Sequence, residues 1–101
     1  MKRTMRSHAA LIAIYKADGH DYLRQIGEAL ALGDAAAAIL PAHTLKSSST
    51  IIGASEMARL AAELELRLHK EEALGEGGVH ELAARLDRVF LETLAEIDRH
   101  A

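Results

Sequence analysis

Apolar positions recur every three to four residues along most of this chain, which is the period of helices that bury one face. The first apolar cluster, Leu11, Ile12, Ile14 and Tyr15, runs into Asp18-Gly19, a pair that predicts a helix stop. Asp21 is placed to cap a second helix, in which Tyr22, Leu23, Ile26, Ala29 and Leu30 form a half-buried stripe. Gly33 ends that helix and Asp34 caps a third, running from Ala35 to about Ile52. Pro41 removes one backbone donor inside it, and because the apolar spacing continues past Pro41 a kink is expected rather than a break. Gly53 interrupts the pattern, and Ser55 is placed to cap a fourth helix. There Met57, Leu60, Ala61, Leu64 and Leu68 share one face, while Glu56, Arg59, Glu63, Arg67 and Lys70 face water. Leu74-Gly75-Glu76-Gly77-Gly78 reads as the most flexible stretch. Val79, Leu82, Leu86, Val89, Phe90, Leu94 and Ile97 then make a last long stripe. These elements predict an all-α chain, an antiparallel up-down four-helix bundle with an additional short N-terminal helix across one end.

Composition narrows this without redirecting it. A chain of 101 residues is expected to be one domain, spanning 1–101, with a single core. Half of its residues are apolar, with two Tyr, one Phe and one Pro, a balance that favours helix over sheet. A net charge of −3 and the lack of a basic patch interleaved with aromatics argue against nucleic acid as a partner. The absence of cysteine excludes disulfides and thiolate metal sites. Lys2-Arg3-Thr4-Met5-Arg6 followed by Ala9–Tyr15 has the outline of a leader, but Lys16 and Asp18 interrupt the apolar run and no cleavage site follows. No run approaches the roughly 20 apolar residues of a spanning helix, so no membrane insertion is expected and a cytoplasmic location is.

The chemistry concentrates at Pro41-Ala42-His43-Thr44-Leu45-Lys46-Ser47-Ser48-Ser49-Thr50-Ile51-Ile52-Gly53-Ala54. At about 100° per residue, Ala36, Ile39, His43, Lys46, Ser47, Thr50 and Ala54 share one face, and Leu45, Ser48, Ser49 and Ile52 point the other way. One side can pack; the other carries a lone imidazole with an ammonium one turn away. The run Ala42-His43-Thr44-Leu45-Lys46-Ser47-Ser48-Ser49 with Ile52-Gly53-Ala54 resembles the motif of histidine-containing phosphotransfer (HPt) domains of multistep phosphorelays. Ahead of it, Ala29-Leu30-Ala31-Leu32-Gly33-Asp34 resembles that family's AL-x-x-GD turn, and Leu60 through Leu64-Glu65 resembles its downstream L-x-x-LE helix.

A neutral imidazole is a good nucleophile near neutral pH, because it keeps a free ring-nitrogen lone pair. A phosphoryl group on that ring is an anion that needs a nearby cation, and Lys46 is placed to supply one. No Gly-rich phosphate loop, Gly-Lys-Ser/Thr motif or acidic triplet for Mg²⁺ occurs, so no autonomous kinase activity is expected. The resemblance implies that His43 accepts a phosphoryl group from a receiver-domain aspartate and returns one to another receiver. It further implies that Lys46 compensates the charge and that Ser47 is the small position over which a receiver approaches. Ser47 departs from the glycine found in many members. Ile39, Ser47 and Thr50 are the candidate partner-binding residues, with Ile39 weighed evenly between docking and packing under the N-terminal helix. The partners implied are response-regulator receiver domains and a hybrid sensor histidine kinase. No cofactor is expected on this chain, and Mg²⁺ belongs to the receiver.

Other readings compete. A lone helical histidine is more often solvated or structural than reactive, and Lys46 alone would be a solvated charge. The serines could bond back to carbonyls of their own helix, although close helix packing is preferred for Ser48 and Ser49. His8, His20, His69, His80 and His100 show no helical pairing that would suggest a metal. The alternative function is a helical-bundle module that binds a receiver or other signalling partner without carrying phosphate.

Overall fold

A computed structural model describes residues 2–70 and 78–100, with side-chain surroundings given for 9–70 and 78–99. Its elements are α1 (Lys2–Ala31), α2 (Ala35–Ile52), α3 (Ser55–Leu68) and α4 (Val79–His100), with no strand among the described residues. Each helix packs on its neighbours in chain order, and α4 closes back on α1, giving the expected all-α four-helix bundle. The stretch Leu74-Gly75-Glu76-Gly77 lies outside the described residues.

The expected stop at Asp18-Gly19 does not occur. The N-terminal segment and the second predicted helix are one 30-residue helix, so there is no separate short helix across the end. Glycine in a helix interior costs about 1 kcal/mol relative to alanine, but Gly19 is kept for packing. A Cβ there would stand 2.4 Å from Phe90 Cζ, so the missing side chain is the space the Phe90 ring fills. Asp21 caps nothing; it pairs with Arg24 and accepts a hydrogen bond from Gln25 Nε2 at 2.8 Å within the same helix.

The turns into and out of α2 follow the sequence closely. Gly33 takes φ 72°, and the amides of Gly33 and Asp34 donate to the carbonyls of Leu30 and Ala29, closing α1. Asp34 Oδ1 then accepts from the Ala37 amide at 3.1 Å and caps α2. At the far end Gly53, at φ 86°, donates to the Thr50 carbonyl while Ala54 donates to that of Ser49 at 2.8 Å. α2 runs unbroken through Pro41, whose ring is buried. Ser55 does not cap α3: Ala54 holds that position and offers no side-chain bond.

The core is the set of stripes read from the sequence. Met57, Leu60, Ala61, Leu64 and Leu68 of α3 are buried, as are Val79, Leu82, Leu86, Val89, Phe90 and Leu94 of α4, with Ile97 half-buried. From α2 come Ala38, Pro41, Ala42, Leu45 and Ser49. Ser49 is the one buried polar residue among those described, and its hydroxyl meets that of Tyr15 on α1 at 2.8 Å. This bond ties α2 to α1 inside the core, on the side of α2 away from His43.

Candidate functional site

α2 presents three sectors. Ala38, Ala42, Leu45 and Ser49 face the core, Ser48 and Ile52 are half-buried, and His43, Ser47, Thr50 and Ile51 are exposed. Between core and solvent, on the edge beside α3, stands Lys46. The helix therefore lifts His43 out of the core but keeps it within reach of the next helix.

There it meets Glu65. His43 Nδ1 lies 2.9 Å from Glu65 Oε2, and Lys46 Nζ lies 2.8 Å from Glu65 Oε1, so one carboxylate spans both residues. The His43 side chain is 51% exposed and that of Glu65 only 16%. The Lys46 hydrogen bond, assisted by that of His43, holds the Glu65 carboxyl below the usual glutamate range against the opposing effect of burial. Glu65 is thus a carboxylate that accepts, so in the neutral imidazole the tautomer it selects has the proton on His43 Nδ1 and the lone pair on Nε2. Among the described hydrogen bonds, Nε2 has no partner. His69, one turn beyond Glu65, brings its Nε2 to 4.0 Å from the same Oε2.

Sequence reasoning missed Glu65 as a site residue. It appears in the chain only as the last letter of L-x-x-LE. The available signal was its place one turn after buried Ala61 and next to buried Leu64, which puts a carboxylate at the margin of the α3 stripe.

The remaining candidates fall in different places. Ser47 is exposed on the open side of the helix. Thr50, also exposed, donates its hydroxyl to the Lys46 carbonyl at 2.9 Å. Ile39 is half-buried and packed on the core, because it lies only about 60° around the helix from buried Ala42. The exposed apolar residues on this side are Leu40 and Ile51, which flank Ser47 at helical spacing. Ser48 bonds back to the Leu45 carbonyl at 3.2 Å. Among the described residues no group of three His, Asp or Glu is arranged to hold a metal ion, and no helix is long and apolar enough to cross a membrane.

The arrangement offers an oriented, half-exposed imidazole with one free ring nitrogen, a cation beside it, and a low surface flanked by apolar side chains. A family model for the Hpt domain matches residues 10–99. No curated protein and no solved structure matches the chain.

Proposed function

The chain belongs to the Hpt domain family, and from that membership and the Glu65-held imidazole we propose that it is a histidine phosphocarrier of a cytoplasmic phosphorelay. His43 Nε2 takes a phosphoryl group from the aspartyl phosphate of one receiver domain and returns it to the aspartate of another. The observation that carries this reading is the His43 Nδ1 contact with Glu65 at 2.9 Å.

In the forward step the Nε2 lone pair attacks phosphorus in line. The N–P bond forms as the P–O bond to the receiver's aspartate breaks, and that carboxylate leaves with the electron pair. The Nδ1 proton stays where it is. As phosphorus bonds to Nε2 the ring gains positive charge, which the adjacent Glu65 carboxylate stabilises. Lys46, one turn from His43, is the cation available to the phosphoryl oxygens, and reaching them requires it to leave Glu65. The receiver contributes Mg²⁺ in its own site. We place its approach over Ser47, with Leu40 and Ile51 as apolar contacts on either side and Thr50 at the margin; Ile39 supports the helix from beneath. A hybrid sensor histidine kinase is the source of phosphate this scheme requires.

The test is incubation with a phosphorylated receiver. Wild-type chain should acquire acid-labile, base-stable phosphate, and His43→Gln should fold normally and acquire none. Phosphate retained by His43→Gln and mapped to His8 or His69 would overturn the assignment. A wild-type chain that binds the receiver yet takes no phosphate would identify a binding module instead.

A further inference from the structure

Glu65 has three ionic partners among the described residues, and two of them are committed to the transfer chemistry. Oε1 faces Lys46 Nζ at 2.8 Å, and Oε2 faces His43 Nδ1 at 2.9 Å. The third is His69, whose Nε2 stands 4.0 Å from Oε2, beyond hydrogen-bond distance. Its backbone is fixed there, because His69 closes α3 and its amide donates to the Glu65 carbonyl at 3.2 Å, one turn back. The ring itself is exposed and has no hydrogen bond among the described residues. The phosphocarrier step uses up the first contact, since Lys46 serves the phosphoryl oxygens only by leaving Oε1. Lys46 is also the leading cause that holds the Glu65 carboxyl below its ordinary range, so its departure leaves that carboxylate to His43 alone. At that moment His43 most needs Glu65 in place, because positive charge is gathering on its ring.

We propose that His69 is a positioning residue of this site, which donates to the Glu65 carboxylate when Lys46 leaves it and so keeps Oε2 against His43 Nδ1. This rests on the phosphocarrier reading and adds a residue to it. An imidazole donates from Nε2 both as its Nε2–H tautomer and when protonated, so the handover requires no particular charge on His69. A side-chain movement of about 1 Å brings Nε2 to hydrogen-bond distance. Oε2 can accept from both rings at once, because a carboxylate oxygen carries two lone pairs. Only hydrogen bonds are exchanged: Lys46 leaves Oε1, His69 joins Oε2, and the proton on His43 Nδ1 stays where it is. Geometry singles out His69 for this. It lies about 40° around α3 from Glu65, whereas Arg67, the basic residue of the last turn, lies about 160° around it and pairs with Glu63 at 3.0 Å.

Ring-nitrogen NMR of the unphosphorylated full chain reads the His43 tautomer, and Lys46→Ala reproduces the departure of the lysine without phosphate or receiver. Lys46→Ala should keep the proton of the neutral His43 ring on Nδ1. Lys46→Ala/His69→Ala should lose that preference, and Lys46→Ala/His69→Gln should regain it, because the glutamine amide donates from the same place. In transfer assays His69→Ala should lower the rate at saturating receiver about tenfold with KM for the receiver unchanged, and His69→Gln should recover it. A His69→Ala variant that raises KM and leaves the saturated rate alone would be a lost docking contact and overturns the proposal. So does a Lys46→Ala chain that already loses the Nδ1 proton. If the wild-type chain takes no phosphate, the phosphocarrier reading falls and the handover with it; if it takes phosphate while Lys46→Ala/His69→Ala keeps the Nδ1 proton, the handover alone falls.

Discussion

The α1–α4 contact and the α2–α3 edge are both helix pairs of one bundle, yet they are built for opposite purposes. The first is closed and apolar: the Phe90 ring occupies the space left by Gly19, edge-on to Tyr15 at 5.7 Å and to His20 at 5.1 Å. The second is open and polar: His43 and Lys46 converge on one carboxylate at the rim of the core. A buried ring contributes through burial and fit, so its removal is felt by the whole fold. A partly exposed charge cluster contributes little to stability and is free to be shaped by chemistry. The sharpest way to break this contrast is at Phe90. Phe90→Ala should destabilise the chain by about 3–5 kcal/mol, measured by chemical denaturation, while the fraction that remains folded still accepts phosphate on His43. Loss of phosphorylation in excess of the loss of folded protein would show that the two regions are coupled.

The mirror-image experiment is at Glu65. Glu65→Ala removes the acceptor that keeps the proton on His43 Nδ1, and phosphotransfer should slow about 10- to 100-fold, as removal of an orienting partner does elsewhere. Glu65→Gln should recover most of that rate, because its amide oxygen can still accept from Nδ1. Denaturation midpoints should barely move in either variant. If Gln is as slow as Ala, the carboxylate's charge matters more than its geometry.

Tyr15 and Ser49 stand between the two regions, since their bond ties the helix holding Gly19 to the helix holding His43. Tyr15→Phe should cost about 1–2 kcal/mol, a loss moderated because the Ser49 hydroxyl can turn to a carbonyl of its own helix. Burial raises the Tyr15 phenol above its ordinary value of 10.0, against the lowering effect of the Ser49 hydrogen bond. The wild-type contribution is therefore full below pH 10.0 and declines above it, where the unfolded chain ionises first. Alkaline unfolding of Tyr15→Phe should lack that component.

These interactions also mark what the sequence made legible. Period was enough for α3 and α4, and period with caps for α2, because Asp34, Gly33 and Gly53 act through local geometry that the chain states directly. Gly19 misled because its role is tertiary: a glycine that ends a helix and one that admits a ring look alike until Phe90 is beside it. His43 and Lys46 were visible through the motif around them, which resembles that of Hpt domains and lies on one helix, whereas Glu65 joins them from another helix, 22 residues from His43. Counting from His43 left Ile39 open between docking and packing, and its nearness to buried Ala42 accounts for its half-buried place against the core.

The smallest expected effect lies at the polar edge and sets how independent it is of the fold. Glu65 titrates below the ordinary glutamate value of 4.5, with Lys46 the leading cause and His43 contributing. A group whose folded value is depressed stabilises the native state above its unfolded value and loses that contribution as pH falls through the folded one. The wild-type chain should therefore be slightly more stable than Glu65→Gln at neutral pH, by about 1 kcal/mol for a pair at the rim of the core. The difference should vanish on acidification below pH 4.5. Denaturant midpoints of the two proteins across that range measure it directly. Convergence of the two curves would assign the stabilisation to the carboxylate charge, and a constant offset would assign it to packing around Glu65, making the edge part of the core after all.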